Sequence, residues 1–344
     1  MEPLPFSSAR APYARFERIG IPRALLYYRY GALWEAFFRA IGRTTVLSEP
    51  TDRGTVERGD ALSNDECCLA SKIYLGHVDA LRGRCDAVFA PSIGNVGHFR
   101  MFCTKFQALP DLVANTFPDS DVHVVSCLVN DTEEHLSLKD GFLELAAAFG
   151  VGKRGAKRAW KEALHAQEQA ERAATARQAR QCEQLRAARA AAAAGSPDAA
   201  ANPPVGILLA AHPYLLHDAY MGGALADMLA RMDVTVLRTD ETDRKAALKT
   251  SFEFSETLPW IVNREIIGSI MHLHDLVDGI VLMSAFPCGP DSMTDDAIMR
   301  CMEGKPILNL TIDAQSGTAG LETRIESFVD ILRYQKKGGY VHAR

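Results

Sequence analysis

Hydrophobic and polar positions along this 344-residue chain fall into the same arrangement twice. FERIGIPRALLYYRYGALWEAFFRAIGRTTVLSEP (16–50) reads as strand, loop, helix, strand, and PVGILLAAHPYLLHDAYMGGALADMLARMDVTVLRTD (204–240) reads the same way. Gly31-Ala32-Leu33 opens the helix of the first copy and Gly223-Ala224-Leu225 that of the second. Each copy continues through a further helix to a strand introduced by an aspartate, Asp86 before AVFAP and Asp278 before GIVLM, and both third strands run into a cysteine-bearing loop. Strands separated by helical stretches imply right-handed βαβ crossovers and a parallel sheet in each half. The predicted fold is therefore α/β: two Rossmann-like parallel-sheet lobes joined by a long connecting helix.

Between the halves the pattern changes. Residues 153–202 are rich in alanine, arginine, glutamate and glutamine, which predicts a long helix, and GSPDAAANPP ends it as a linker. Ten Lys or Arg against four Glu in 153–190 read as a solvated helix face, an RNA or partner surface being the alternative. The expected division is a first lobe over 1–152, an alanine-rich helical linker over 153–202 and a second lobe over 203–344.

With 47% hydrophobic residues the chain has enough apolar material for a core in each lobe. A net charge of −5 provides no basic field for nucleic acid. The apolar runs VGILLAA and DGIVLMSAF are too short to span a membrane, and the first twenty residues lack the apolar stretch of a signal peptide, so the expectation is a cytoplasmic protein. In that compartment eight cysteines are not a disulfide framework; the choice is ligation or burial.

In open parallel sheets ligands bind beyond the carboxyl ends of the strands. Cys103, Cys127 and Cys288 follow strands there, and the adjacent Cys67 and Cys68 precede a helical pattern whose first amides would favour a thiolate. Consecutive residues cannot point the same way, so either two metals share that pair or one member binds and the other packs. Cys85 lies before a strand and Cys182 in the polar helix, and both read as structural. Cys301 sits two turns into a helix, where core packing competes with ligation. Six candidates remain: Cys67, Cys68, Cys103, Cys127, Cys288 and Cys301. Sulfur ligation favours iron–sulfur or zinc, and the lack of any CxxC demotes zinc.

Other chemistry is sparse. There is no GxxxxGK[ST] loop and no GxGxxG after a strand, so the chain is not read as an ATPase. DAQSGTAGLETR (313–324) could dock an anion but reads better as a strand-to-helix turn. His212 in AAHPYLLHD could donate a proton or bind substrate beside Tyr214, with a structural histidine as the alternative. His98 and Arg100 could meet an anion or simply be solvated.

Taken together, ECCLASK followed by LGHVDAL, then CTKFQALPDLV, ILLAAHPYLLHD, FPCGPDSM and GKPILNLTIDAQSGTAGLETRIESF resemble the 2-hydroxyacyl-CoA dehydratase component family. The likeness is to the branch similar to the domain attached to its ATP-dependent activases, which includes double-cubane cluster proteins. It covers nearly the whole chain outside the linker helix. The family's E-x-C-x-P-x-K stretch maps onto Glu66, Cys68 and Lys72, with Ala70 where the family has proline, and its later cysteines map onto Cys103 and Cys288.

The resemblance implies an iron–sulfur centre, either a 4Fe–4S cluster or a double-cubane 8Fe–9S cluster. The latter needs about six thiolates and would bring in Cys67, Cys127 and Cys301. It would lie in a cleft between the lobes, its potential tuned by amides near Gly289 and Ser71. The expected function is that of an oxidoreductase of anaerobic metabolism. As a homodimer, it would accept electrons from a separate ATP-hydrolysing activase and reduce a small molecule. The alternatives are a 2-hydroxyacyl-CoA dehydratase subunit and a non-catalytic electron carrier.

Overall fold

The structure, a computed structural model, describes residues 11–118, 122–194, 204–315 and 318–336. The predicted linker end at 195–203 and Ser316 and Gly317 of the DAQSGTAGLETR stretch lie outside the described residues. By contacts the chain forms two compact units: residues 1–49 with 74–170, and residues 50–73 with 171–344. The sequence division into 1–152, 153–202 and 203–344 draws this line differently. The segment carrying Cys67 and Cys68 groups with the second half of the chain.

The first unit holds β1 (Arg18–Ile21), α1 (Tyr27–Ala40), β2 (Thr44–Leu47), most of α3 (Leu69–Leu81), β3 (Ala87–Phe89), β4 (Ser92–Asn95), α4 (Thr104–Gln107), α5 (Leu109–Thr116), β5 (Val124–Val125), β6 (Leu128–Asn130), α6 (Leu138–Ala148) and the start of α7 (Lys153–Ala193). Its parallel sheet has the order β2-β1-β3-β5. Helix α1 buries Tyr30, Leu33, Trp34, Phe37 and Phe38, the i, i+3, i+4, i+7, i+8 stripe of a helix laid on a sheet. Those rings meet Phe89 and Phe142 edge-on, with Phe37–Phe142 centroids 4.8 Å apart and Trp34–Phe89 5.1 Å apart. Gly31 lies in the second turn of α1 rather than opening it.

The second unit begins with α2 (Arg53–Ala61) and the start of α3. It continues with the end of α7, β7 (Val205–Ala210), α8 (Pro213–His217), a π-turn over Ala219–Gly223 and α9 (Ala224–Arg231). Then come β8 (Val234–Arg238), α10 (Arg244–Phe254), α11 (Ile261–Leu273), β9 (Gly279–Ala285), α12 (Gly289–Cys301), β10 (Ile307–Ile312) and α13 (Thr318–Lys336). Its parallel sheet has the order β8-β7-β9-β10. Every residue of β7 and β9 is buried, as expected of central parallel strands covered on both faces. The segment over residues 50–73 is anchored here, where the Thr51 hydroxyl donates to the buried Asp218 carboxylate.

The duplication read from the sequence is thus a duplication of topology. In each sheet the first strand is central, the second lies to one side, and the third lies to the other after two helices. The paired aspartates have matching tasks. Asp86 donates its amide to Arg18 O and its carboxylate accepts from the amides of Glu17 and Arg18. Asp278 donates its amide to Gly206 O and accepts from Gly206 N, with Arg189 and Lys336 on its carboxylate. Each aspartate ties the start of a third strand to the start of a first strand, satisfying amides that the ladder leaves open.

A small β4–β6 ribbon carries a buried amide pair in the first unit. Asn95 Nδ2 donates to Asn130 Oδ1 at 2.6 Å, and Asn95 Oδ1 accepts from the Thr132 amide and hydroxyl, both at 2.9 Å. Asn95→Ala leaves these groups unpaired in the interior and is expected to cost about 2–3 kcal/mol. A lowered thermal midpoint checks this; an unchanged one removes the pair from the unit's stability.

Candidate functional site

In the second unit the chain goes from β7 to β8 on one side and reaches β9 on the other, so the strand order reverses between β7 and β9. Adjacent loops leaving such strands diverge and open a crevice at their carboxyl ends. The loop after β7 carries His212, and the loop after β9 carries Cys288. Cys288 is the N-cap residue of α12, where Ser292 N bonds to its carbonyl.

Cys68 joins from the 50–73 segment. Its carbonyl accepts from Ser71 N and Lys72 N, so it caps α3, and the next residue is tied to the Cys288 loop by Leu69 N bonding to Phe286 O at 2.9 Å. The charge of Cys68 acts on the Cys288 thiol, which makes the two neighbours. Two helix N-termini that each begin at a cysteine are thus held on neighbouring loops. Burial foremost, then the Asp291 carboxylate, and also the charge of Cys68, push the Cys288 thiol far above its ordinary range, against the pull of the Asp291 amide. A thiol in this state holds its proton, and a metal ion would have to displace that proton to bind.

Beneath Cys288 lies a buried polar network absent from the sequence reading. His212 Nε2 meets Asp291 Oδ1 at 3.0 Å, and Asn263 on α11 donates to the same oxygen at 3.0 Å and to Thr294 Oγ1 at 2.9 Å. The His212 ring stacks on Tyr214 with centroids 5.0 Å apart. Burial opposes the charge on Asp291, but the charge and hydrogen bond of His212 and the Asn263 amide hold its carboxyl below the usual range. One turn along α12, Asp295 is pushed up to about 7 by burial and by the charge of Asp291, against the pull of His212. His212 thus lies in the buried network, as either sequence reading of it allows.

The other cysteines are placed as follows. Cys67 is buried next to Cys68. Cys103 is the half-buried N-cap residue of α4, and Cys127 lies buried between β5 and β6, its thiol pushed up to about 12 by burial and by Glu144; both belong to the first unit. Cys301 is exposed and ends α12, about 18 Å along the helix from its first residue at 1.5 Å per residue, so α12 holds it away from Cys288. Cys85 packs in the first unit with its thiol on Leu81 O at 3.4 Å, and Cys182 is buried on α7. His98 and Arg100 are exposed.

Among the described residues no three histidine, cysteine, aspartate or glutamate side chains are arranged to hold a metal ion. Cys68 and Cys288 supply two sulfur donors at helix N-termini, with Cys67 next in sequence to Cys68. Sequence reasoning missed Asp291, Asn263, Thr294 and Asp295. The available signal was the spacing of Asp291 and Asp295 in DSMTDD, which sets two acids on one helix face directly after the cysteine.

Fold and site together define an α/β protein whose second unit carries His212 and Cys288 on the two loops at a topological switch point. Residues 18–241 match the family described as a CoA enzyme activase uncharacterised domain, about two thirds of the chain, and the chain belongs to that family. The match takes in Cys68 and His212 and ends before Cys288. No curated protein matches the chain. Among solved structures, a Salmonella typhimurium LT2 protein described provisionally as sugar binding is 12% identical. It is covered over 90% of its length and 95% of this chain at a TM-score of 0.20, too low to bear on fold or function. No helix of the described residues is long and apolar enough to cross a membrane.

Proposed function

We propose that the chain is an iron–sulfur redox component that receives electrons from an ATP-hydrolysing activase and passes them to a small molecule. The observation that carries this reading is the backbone tie between Leu69 and Phe286, which holds the loops of Cys68 and Cys288, each at a helix N-terminus, against each other in the second unit. Membership in a family described by its association with CoA enzyme activases supports the partner. The lack of a nucleotide-binding loop agrees with ATP hydrolysis in that partner.

Cys68 and Cys288 would hold the centre, with Cys67 beside them, and the sequence resemblance adds Cys103. Such a centre, when bound, supplies one-electron transfer at negative potential. The chain's own contribution is to hold the two cysteine loops against each other and to place a buried acid and a histidine near Cys288.

The test is purification without oxygen, reconstitution with iron and sulfide, and a count of both. About four or about eight irons per chain, with matching sulfide, is the expected result. A chain that carries none after reconstitution overturns the reading. With iron bound, ATP-dependent bleaching of the chromophore by the activase is expected.

A further inference from the structure

Strand β10 ends the second sheet, and among the described residues no strand pairs with its outer side. The bonds of Ile280 N to Pro306 O and of Phe286 N to Ile312 O turn the even-numbered positions of β10 toward β9. By the two-residue period of a strand, the amides and carbonyls of Ile307, Asn309 and Thr311 point away from the sheet. Arg324 of α13 agrees with that direction, since its guanidinium donates to Asn309 O and can reach this oxygen only from outside the ladder. An open edge of six residues with no proline inside it is a template for another strand.

The sequence of this edge suits a copy of itself. KPILNLTID (305–313) carries Lys305 at one end and Asp313 at the other, with Asn309 midway. When two such strands run antiparallel about a two-fold axis through Asn309, Ile307 lies opposite Thr311 and Lys305 opposite Asp313, each twice. This register joins outward-facing positions only to outward-facing positions and forms about six main-chain bonds. Opposite charges meet at both ends. On the axis each Asn309 faces its twin; within one chain Asn309 Oδ1 has no hydrogen-bond partner and Nδ2 reaches Met299 Sδ at 3.9 Å. Arg324 does not block the pairing, because a carbonyl has two lone pairs and Asn309 O can accept the copy's amide as well.

Apolar side chains flank the edge on both faces of the sheet, α12 packing beside α11 on one and α13 beside α9 on the other. Met299 of α12 is 44% exposed and touches Asn309. Ile331 of α13 is 51% exposed and lies two turns from Arg324 on the same side of its helix. A strand added to β10 would bring its own helices against both residues and take them out of water.

We propose that two copies of the chain pair through β10, antiparallel about Asn309, into one eight-stranded sheet with Lys305 of each copy against Asp313 of the other. Pairing consumes this edge on both copies, so assembly through it stops at two. The proposal goes beyond the iron–sulfur reading and holds whether or not the chain binds iron.

Sedimentation equilibrium of the full chain at micromolar concentration is expected to give twice the chain mass. Thr311→Pro removes an outward amide that the β9 ladder does not use, and should give one chain mass with an unchanged circular dichroism spectrum. Lys305→Asp and Asp313→Lys each set like charges opposite each other at both ends and should raise the dissociation constant about tenfold or more. The double variant Lys305→Asp with Asp313→Lys reverses both ends and should restore the parent constant, which a role for either residue within its own chain would not do. Lys249→Asp, at an exposed position of α10, should leave the constant unchanged. A parent at one chain mass overturns the proposal. So does a dimer that withstands Thr311→Pro, or a loss in the single charge variants that the double does not restore. If Thr311→Pro does not fold, the charge swap decides. The iron count is independent of all these outcomes, so a failure here leaves the iron–sulfur reading standing, and the reverse.

Discussion

Cys288→Ala and Cys68→Ala are each expected to lose nearly all the iron, sulfide and brown colour of the reconstituted chain. Cys85→Ala and Cys182→Ala should keep all three. The asymmetry follows from placement. Cys68 and Cys288 cap α3 and α12 from opposite ends of the sequence, and the bond between Leu69 N and Phe286 O fixes one loop against the other, so each thiol has a fixed place, and the adjoining Cys67 is buried. Cys301 cannot stand in for Cys288, because α12 carries it about 18 Å away.

The loss should reflect ligation and not collapse. Truncating Cys288 removes one sulfur beside Asp291, a change on the order of 1 kcal/mol or less of packing. It also removes a half-buried thiol whose proton is held first by desolvation and then by the neighbouring Asp291 carboxylate. Melting curves of the metal-free variants should therefore overlay the parent. Full iron in Cys288→Ala would take that residue out of the ligand set and leave the switch-point crevice without its assignment. The same count on Cys67→Ala, Cys103→Ala and Cys127→Ala tests the remaining thiols.

Much of the fold could be read from the sequence because its determinants are local. The all-apolar runs of β7 and β9 mark central parallel strands, the five-residue aromatic stripe of α1 marks its buried face, and the alanine-rich run predicts the helix found over Lys153–Ala193. The two introducing aspartates mark both third strands because their carboxylates satisfy first-strand amides. What could not be read depends on pairings far apart in sequence. Nothing local in ECCLASK tells that residues 50–73 group with the second half of the chain, since the tie runs from Leu69 to Phe286 and from Thr51 to Asp218.

The site divides in the same way. The placement of His212 and Cys288 at strand ends is legible because both follow apolar strands, and strand ends are where parallel sheets gather chemistry. Asp291 and Asp295 look like a solvated helix face in sequence. Only the arrival of His212 and Asn263 from other elements buries them. Cys301 reads as a residue two turns into a helix, with packing or ligation open; in the structure it is exposed at the end of α12.

Gly268→Ala is expected to destabilise the second unit by about 3 kcal/mol or more. A methyl group at Gly268 would sit 1.8 Å from Ala247 O and 2.4 Å from the Ala247 carbonyl carbon. Both are backbone atoms of α10, and no side chain can swing aside to relieve the clash. Helices α10 and α11 would have to part. The same separation would pull on Arg264, fully buried, whose guanidinium binds the carbonyls of Leu258, Ser255 and Glu256 and lies 3.8 Å over the Phe252 ring. Asn263, just over one turn from Gly268 on α11, would move with it, loosening the hold on Asp291. The variant should therefore melt well below the parent, and what remains folded should bind less iron. Gly320→Ala, in α13 with open space around it, should gain up to about 1 kcal/mol from helix propensity alone. Equal melting temperatures for Gly268→Ala and the parent would show that the two helices do not pack backbone to backbone, and with that the support proposed for Asn263 and Asp291 would fall.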